Sequence, residues 1–142
     1  MNLILDTHSF LWFIMGSPRL SGNARALIED EAHDKLLSTA SLWEMAIKLS
    51  LGRLTLAEPF GVLIPHQLRV SGIEILNIDL NHLAALTTLP FHHRDPFDRL
   101  IIAQAIVEQY PIVSVDPAFD AYPVERLWEG LQIRLTPTAP DA

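Results

Sequence analysis

Four carboxylates carry the chemistry open to this chain: Asp6, Glu44, Asp98 and Asp116. Each stands where an apolar strand ends or a helix begins. In an α/β fold such positions line one edge of the sheet, outside the carboxyl ends of the strands, where active sites gather. Acids converging there without basic partners repel one another, and the usual remedy is a hard divalent cation held by oxygen ligands. Magnesium (Mg2+) suits that set, with manganese (Mn2+) as the other candidate, because both accept a few carboxylates and retain bound water. The chemistry implied is metal-assisted hydrolysis of a phosphoester.

Every one of these acids also has a purely structural explanation. Asp6 in Asp6-Thr7-His8-Ser9 can cap a helix. Glu44 completes a capping box with Ser41 if the helix begins there; a start at Ser38 instead puts it inside the helix among Leu42, Trp43 and Ala46. Asp95 before Pro96 is a good N-cap, which leaves Asp98 in the first turn, where the helix dipole favours negative charge. Asp116-Pro117 is a turn starter. Singly these explanations suffice. Together they leave unexplained why four acids mark the same edge.

The elements that must position them follow from patterning. Asn2-Leu3-Ile4-Leu5-Asp6 reads as a short buried strand, followed by a helix near Ser9–Met15 that Gly16-Ser17-Pro18 stops. Ser21 caps a second helix through about Glu31. Lys35–Ser38 is the second strand, leading into a helix that carries Trp43, Ala46, Ile47 and Leu49 as far as Gly52. Pro59 opens another helix, in which Phe60, Leu63, Ile64 and Leu68 fall near helical spacing. Ile73–Ile78 is the third strand, and Asp79 caps a helix over Leu80–Leu89. Asp95-Pro96 opens the helix through Leu100, Ile101, Ala103, Ala105 and Ile106. Ile112–Val115, continuously apolar, predicts a central fourth strand. Val124–Leu127 is a fifth, on an edge. This alternation predicts an α/β fold with a mostly parallel central sheet covered on both faces, a three-layer α/β/α sandwich.

The chain has 142 residues, 49% hydrophobic and 19% charged, which describes one compact domain, placed here over residues 1–135 with a short tail at Thr136–Ala142. Net charge is −7, from 10 Lys+Arg against 17 Asp+Glu, which weighs against coating nucleic acid by bulk electrostatics. A nuclease stays open, because a metal neutralises clustered acids locally. Cysteine is absent, so disulfides and thiolate zinc sites are excluded and a cytoplasmic location is compatible. Phe10–Met15 looks like a signal-peptide core but lacks a basic flank, and no apolar run reaches the roughly 18–20 residues of a membrane span. It reads as a buried first helix. Phe10, Trp12 and Phe13 are most simply core, and their density also suits a protein-binding groove or dimer face. His92 and His93 are adjacent and poorly placed to share a zinc ion. Arg99 and Lys48 could contact phosphates, with surface charge or an ion pair as the other explanation.

In order along the chain, Leu3-Ile4-Leu5-Asp6-Thr7-His8, Ser41-Leu42-Trp43-Glu44-Met45-Ala46-Ile47-Lys48, Asp95-Pro96-Phe97-Asp98-Arg99-Leu100-Ile101-Ile102-Ala103-Gln104-Ala105 and Val113-Ser114-Val115-Asp116-Pro117-Ala118-Phe119 resemble the PIN-domain ribonucleases that serve as toxins of VapBC-type toxin–antitoxin pairs. The resemblance implies that Asp6, Glu44, Asp98 and Asp116 line an acidic metal pocket, with Asp6 and Asp98 foremost as ligands. Ser114 stands where the family often carries Thr, so the hydroxyl is kept. Also implied are magnesium- or manganese-dependent endoribonuclease activity on an RNA substrate, homodimerisation and inhibition by a cognate antitoxin. Two other classes compete: a non-catalytic binding module on the same fold, and a domain using Asp6 as phosphoacceptor. The second fits poorly, since a haloacid-dehalogenase-type phosphatase would carry a second Asp where His8 stands.

Overall fold

The computed structural model describes residues 1–129; the expected boundary at residue 135 and the tail Thr136–Ala142 lie outside the described residues. Five strands, β1 (Asn2–Leu5), β2 (Asp34–Ser38), β3 (Ile73–Leu76), β4 (Ile112–Val113) and β5 (Arg126–Leu127), form one sheet in the order β3-β2-β1-β4-β5. Every pairing is parallel. β1 is the middle strand. Leu3, Ile4 and Leu5 are fully buried, as a strand covered on both faces requires.

Among the described residues, six α-helices cover the sheet: α1 (Thr7–Met15), α2 (Gly22–Glu29), α3 (Thr39–Ser50), α4 (Phe60–Ser71), α5 (Leu80–Thr87) and α6 (Pro96–Glu108). Alternation along β1 sends Leu3 and Leu5 into one core, with Phe10, Ala24, Ile28 and Ile64. It sends Ile4 into the other, with Leu89, Ile101, Ile102 and Phe119. The topology explains the division. Crossovers between parallel strands keep one hand, so the steps β1→β2→β3 leave their helices on one face. The step from β3 back across β1 to β4 reverses direction and puts α5 and α6 on the opposite face. That reversal creates a crevice outside the carboxyl ends of β1 and β4, where sheets of this kind bind ligands. The expected α/β/α sandwich is the one formed.

The caps fall largely where the side-chain chemistry directs. Asp6, Ser21, Asp79 and Asp95 each accept a backbone N–H at a helix start. Two expectations are corrected. Ser38, not Ser41, caps α3, its Oγ accepting from the Ala40 N–H at 3.0 Å, so the Ser41–Glu44 capping box does not form and Glu44 lies within the helix. The fourth strand lies inside the sheet, between β1 and β5, as expected, but is shorter than Ile112–Val115. It ends at Val113 because Ser114 turns its hydroxyl to Asp6 and takes the Asp116 N–H, which bends the chain away from the ladder. Among the described residues, no helix is long and apolar enough to cross a membrane.

Candidate active site

The crevice between β1 and β4 is walled by acids, each held by a cap or a hydroxyl. Asp6 ends β1 and caps α1: Oδ1 accepts from the Ser9 N–H at 2.9 Å, and Oδ2 accepts from the Ser114 hydroxyl at 2.6 Å. Burial pushes its carboxyl pKa above the ordinary value, against the hydrogen bonds from Ser114 and Ser9. Ser114 in turn accepts the Asp116 N–H at 3.0 Å, so one hydroxyl ties the loop after β4 to the acid after β1. Asp116 caps a 3₁₀ turn, Pro117–Ala121, through Oδ1, which accepts the Ala118 N–H at 2.9 Å. Its other oxygen is turned to the cluster, 3.5 Å from His93 Nε2. Capping and pocket formation therefore coexist, one oxygen fixed by backbone and the other directed by that fixation.

Glu44 approaches from α3. Only 4% of it is exposed, in keeping with a site inside the helix. Its Oε1 accepts the Thr7 hydroxyl at 2.7 Å, and Oε2 pairs with Lys48 Nζ at 2.7 Å. Thr7 Oγ1 also lies 2.9 Å from Ser41 Oγ. Lys48 thus takes the ion-pair alternative.

Asp98 sits in the first turn of α6, behind the Asp95 cap, with its side chain 22% exposed. Its carboxyl is pushed up to about 8, first by burial and then by the negative charges of Asp95, Asp6, Glu44 and Asp116. The other three acids picked out in the sequence therefore all bear on Asp98 at this edge. Ligand atoms of His93, Asp98 and Asp116 lie within 4.8 Å of one another. His93 is a part of the site that the sequence did not reveal. Its Nε2 lies 3.2 Å from Asp98 Oδ2, while His92 turns aside to Tyr122. The only local signal is that His93 stands two residues before the cap Asp95, within reach of its N–H.

Arg99 does not face the pocket. One residue past Asp98 is a 100° rotation of the helix, which directs the side chain into the body of the protein. There it is buried, donating to the carbonyls of Pro90 (2.9 Å), Leu89 (3.1 Å) and His93 (3.5 Å) beneath the Phe91 ring, 3.8 Å away. It braces the loop that carries His93. Arg99→Met should lower unfolding stability by about 2–4 kcal/mol, because buried carbonyls lose a charged donor. Chemical denaturation checks this; an unchanged midpoint would return Arg99 to the surface role.

A parallel sheet of this order, with an acid-walled crevice at its switch point, defines an α/β/α sandwich with a candidate active site at that crevice. The PIN-domain family matches residues 3–125, and the chain belongs to that family. Ribonuclease VapC16 of Mycobacterium tuberculosis (strain ATCC 25618 / H37Rv) is 39% identical over 71 residues, 47% of this chain and 50% of that protein. The chain thus matches half the length of this relative. The fold is shared with VapBC2 from Rickettsia felis, solved bound to a promoter DNA fragment (TM-score 0.69, 19% identity, 91% of this chain and 100% of that one). A toxin–antitoxin complex from Klebsiella pneumoniae shares it too (TM-score 0.59, 14% identity, 88% of this chain and 95% of that one).

Proposed function

We propose that this protein is a divalent-metal-dependent endoribonuclease and the toxin of a toxin–antitoxin pair. The observation that carries the proposal is the clustering of acids around Asp98: its carboxyl is pushed up to about 8 by burial and by the neighbouring acids, and the adjacent Arg99 is turned away from it. A cation among these acids would offset the repulsion that raises Asp98. The donors fit a hard ion, since they are carboxylate oxygens with hydroxyls behind them. Asp98 and Asp116, with Asp6 and Glu44 deeper in the crevice, are the residues that would hold Mg2+ or Mn2+. When bound, the ion would supply an activated water and charge stabilisation at the phosphoryl group.

The protein's own groups do the positioning. Ser114 and the α1 N-terminus fix Asp6, Thr7 and Lys48 fix Glu44, and the Asp95 cap fixes the turn bearing Asp98. Preset ligands of this kind avoid reorganisation during reaction. Fold and family support RNA as substrate through the partial match to a ribonuclease, and an antitoxin partner through the toxin–antitoxin neighbours. A cytoplasmic location goes with those roles. Phe10 is wholly core, whereas Trp12 and Phe13 pack partly buried at its margin, Trp12 edge-on to Trp128 at 6.0 Å. Trp43, exposed beside Phe97, and exposed Leu80 are apolar side chains that the expected homodimer could cover. The phosphoacceptor alternative loses support, because both oxygens of Asp6 are engaged and the side chain is buried.

Antitoxin-free protein and Asp6→Asn, incubated with total cellular RNA in manganese or EDTA, test the proposal by mapping of new RNA ends. Metal-dependent cuts that the variant lacks are expected. Absence of both cuts and metal binding would favour the non-catalytic module.

A further inference from the structure

His93 has a fixed tautomer, and its tautomer determines what it can do in the pocket. Its Nδ1 accepts the backbone N–H of Asp95 at 3.2 Å. A backbone amide can only donate, so Nδ1 carries no proton and the neutral ring bears its hydrogen on Nε2. Three further contacts hold the ring in place. The His93 N–H donates to the Tyr122 hydroxyl at 2.8 Å, that hydroxyl donates to the Pro90 carbonyl at 2.7 Å, and the ring packs 5.9 Å from the buried Phe119 ring.

The Nε2–H therefore points between Asp98 Oδ2 at 3.2 Å and Asp116 Oδ2 at 3.5 Å. It is sealed from solvent and, despite these distances, aligned for a hydrogen bond with neither carboxylate. Leaving a buried donor unpaired is costly, so it engages whichever carboxylate oxygen turns to it. Solvent cannot reach Nε2, so RNA cannot reach it in this conformation either. A metal would need the lone pair that the hydrogen occupies.

We infer that His93 is a positioning residue: a neutral Nε2–H donor that holds Asp98 and Asp116 facing a shared cation without ligating it. Although its ring nitrogen lies within 4.8 Å of potential ligand atoms of Asp98 and Asp116, it contributes no nitrogen to the metal site. The site is then all-oxygen, which selects hard cations of the magnesium and manganese class over zinc. This deepens the proposed function and rests on its metal site. The loop that Arg99 braces from below thus places one N–H donor between two acids that come from different elements.

Two measurements test the inference. Long-range proton–nitrogen correlation spectra of nitrogen-15-labelled, EDTA-treated protein report the tautomer, with His93 assigned by its loss in His93→Gln. The expected result is a bare Nδ1 and a protonated Nε2, unchanged by saturating Mg2+ and not metallated by added Zn2+. A protonated Nδ1, or an Nε2 shifted by bound metal, would make His93 a ligand and overturn the inference.

Calorimetric titration with Mn2+ tests the positioning. His93→Asn keeps an acceptor for the Asp95 N–H but reaches no farther. His93→Gln extends an amide donor to about the place of Nε2. The Asn variant should bind Mn2+ about 10–100-fold more weakly at unchanged thermal stability, and the Gln variant should recover most of that loss. Wild-type affinity in the Asn variant would remove the positioning role. A wild-type protein that binds no Mn2+ while showing the Nε2–H tautomer would sink the metal site itself, and the role of His93 with it, so the two failures are distinguishable.

Discussion

Asp98→Asn should abolish RNA cleavage and at the same time make the metal-free protein more stable. Both effects come from one fact: Asp98 is a half-buried carboxyl whose pKa is pushed up to about 8, first by its desolvation and then by Asp95, Asp6, Glu44 and Asp116. Holding such a group at neutral pH without a cation costs folding free energy, since the unfolded chain ionises it freely. Asn keeps the shape and an acceptor oxygen while removing the charge, so the apo protein should gain about 1–3 kcal/mol at pH 7. At roughly 2–4 °C per kcal/mol for a chain of this size, the gain is visible in thermal unfolding. Cleavage should fall at least about 100-fold, the upper end of what losing even an outer hydrogen bond to a metal site costs. Opposite signs in the two measurements are diagnostic. A purely structural acid would lose stability on substitution and leave cleavage in place, and an active Asp98→Asn protein would end its assignment to the site.

What the sequence disclosed, and what it withheld, follows one physical division. Asp6 and Asp116 were legible because each directly follows a run of apolar residues, and the polarity change marks the strand end whatever packs around it. Asp95-Pro96 was legible because capping is local chemistry. Glu44 was ambiguous because Ser38 and Ser41 are equally good caps on local grounds. Tertiary contact decided between them: Ser41 is buried against the Thr7 hydroxyl, which leaves Ser38 at the helix start. Arg99 was misplaced because composition says nothing about which way a residue faces on a helix whose buried set runs continuously from Arg99 to Ala105. His93 was weighed only as half of a poor zinc pair because its neighbour His92 is chemically identical, and only the Asp95 N–H and Tyr122 separate them. The strand at Ile112–Val115 was overlong for a related reason. Apolar residues promise a ladder, but the Ser114 hydroxyl offered the backbone another partner.

The stability of the metal-stripped protein should decrease as pH rises from about 4 to about 8, the reverse of the behaviour of a protein held by salt-bridged carboxylates. The folded-state pKa of Asp98 is raised, from an ordinary 3.8 to about 8, and that of Asp6 is raised too. In this window the folded protein binds more protons than the unfolded chain, so its contribution is complete below the unfolded pKa and is lost as pH climbs through the folded one. One such group gives a slope of at most about 1.4 kcal/mol per pH unit. The acids face one another, so the loss belongs to the cluster rather than to Asp98 alone. A divalent cation should reverse the trend. It binds the deprotonated set, releases protons on binding, and therefore stabilises more at pH 8 than at pH 5. Thermal unfolding in EDTA across this range, repeated with excess Mg2+, gives both curves, and calorimetry in buffers of different ionisation enthalpy counts the released protons. Asp98→Asn should flatten the EDTA curve. An EDTA curve that rises with pH, or a variant whose slope matches the wild type, would show that the carboxyl is not held protonated in the fold and would remove the strain that a metal is proposed to relieve.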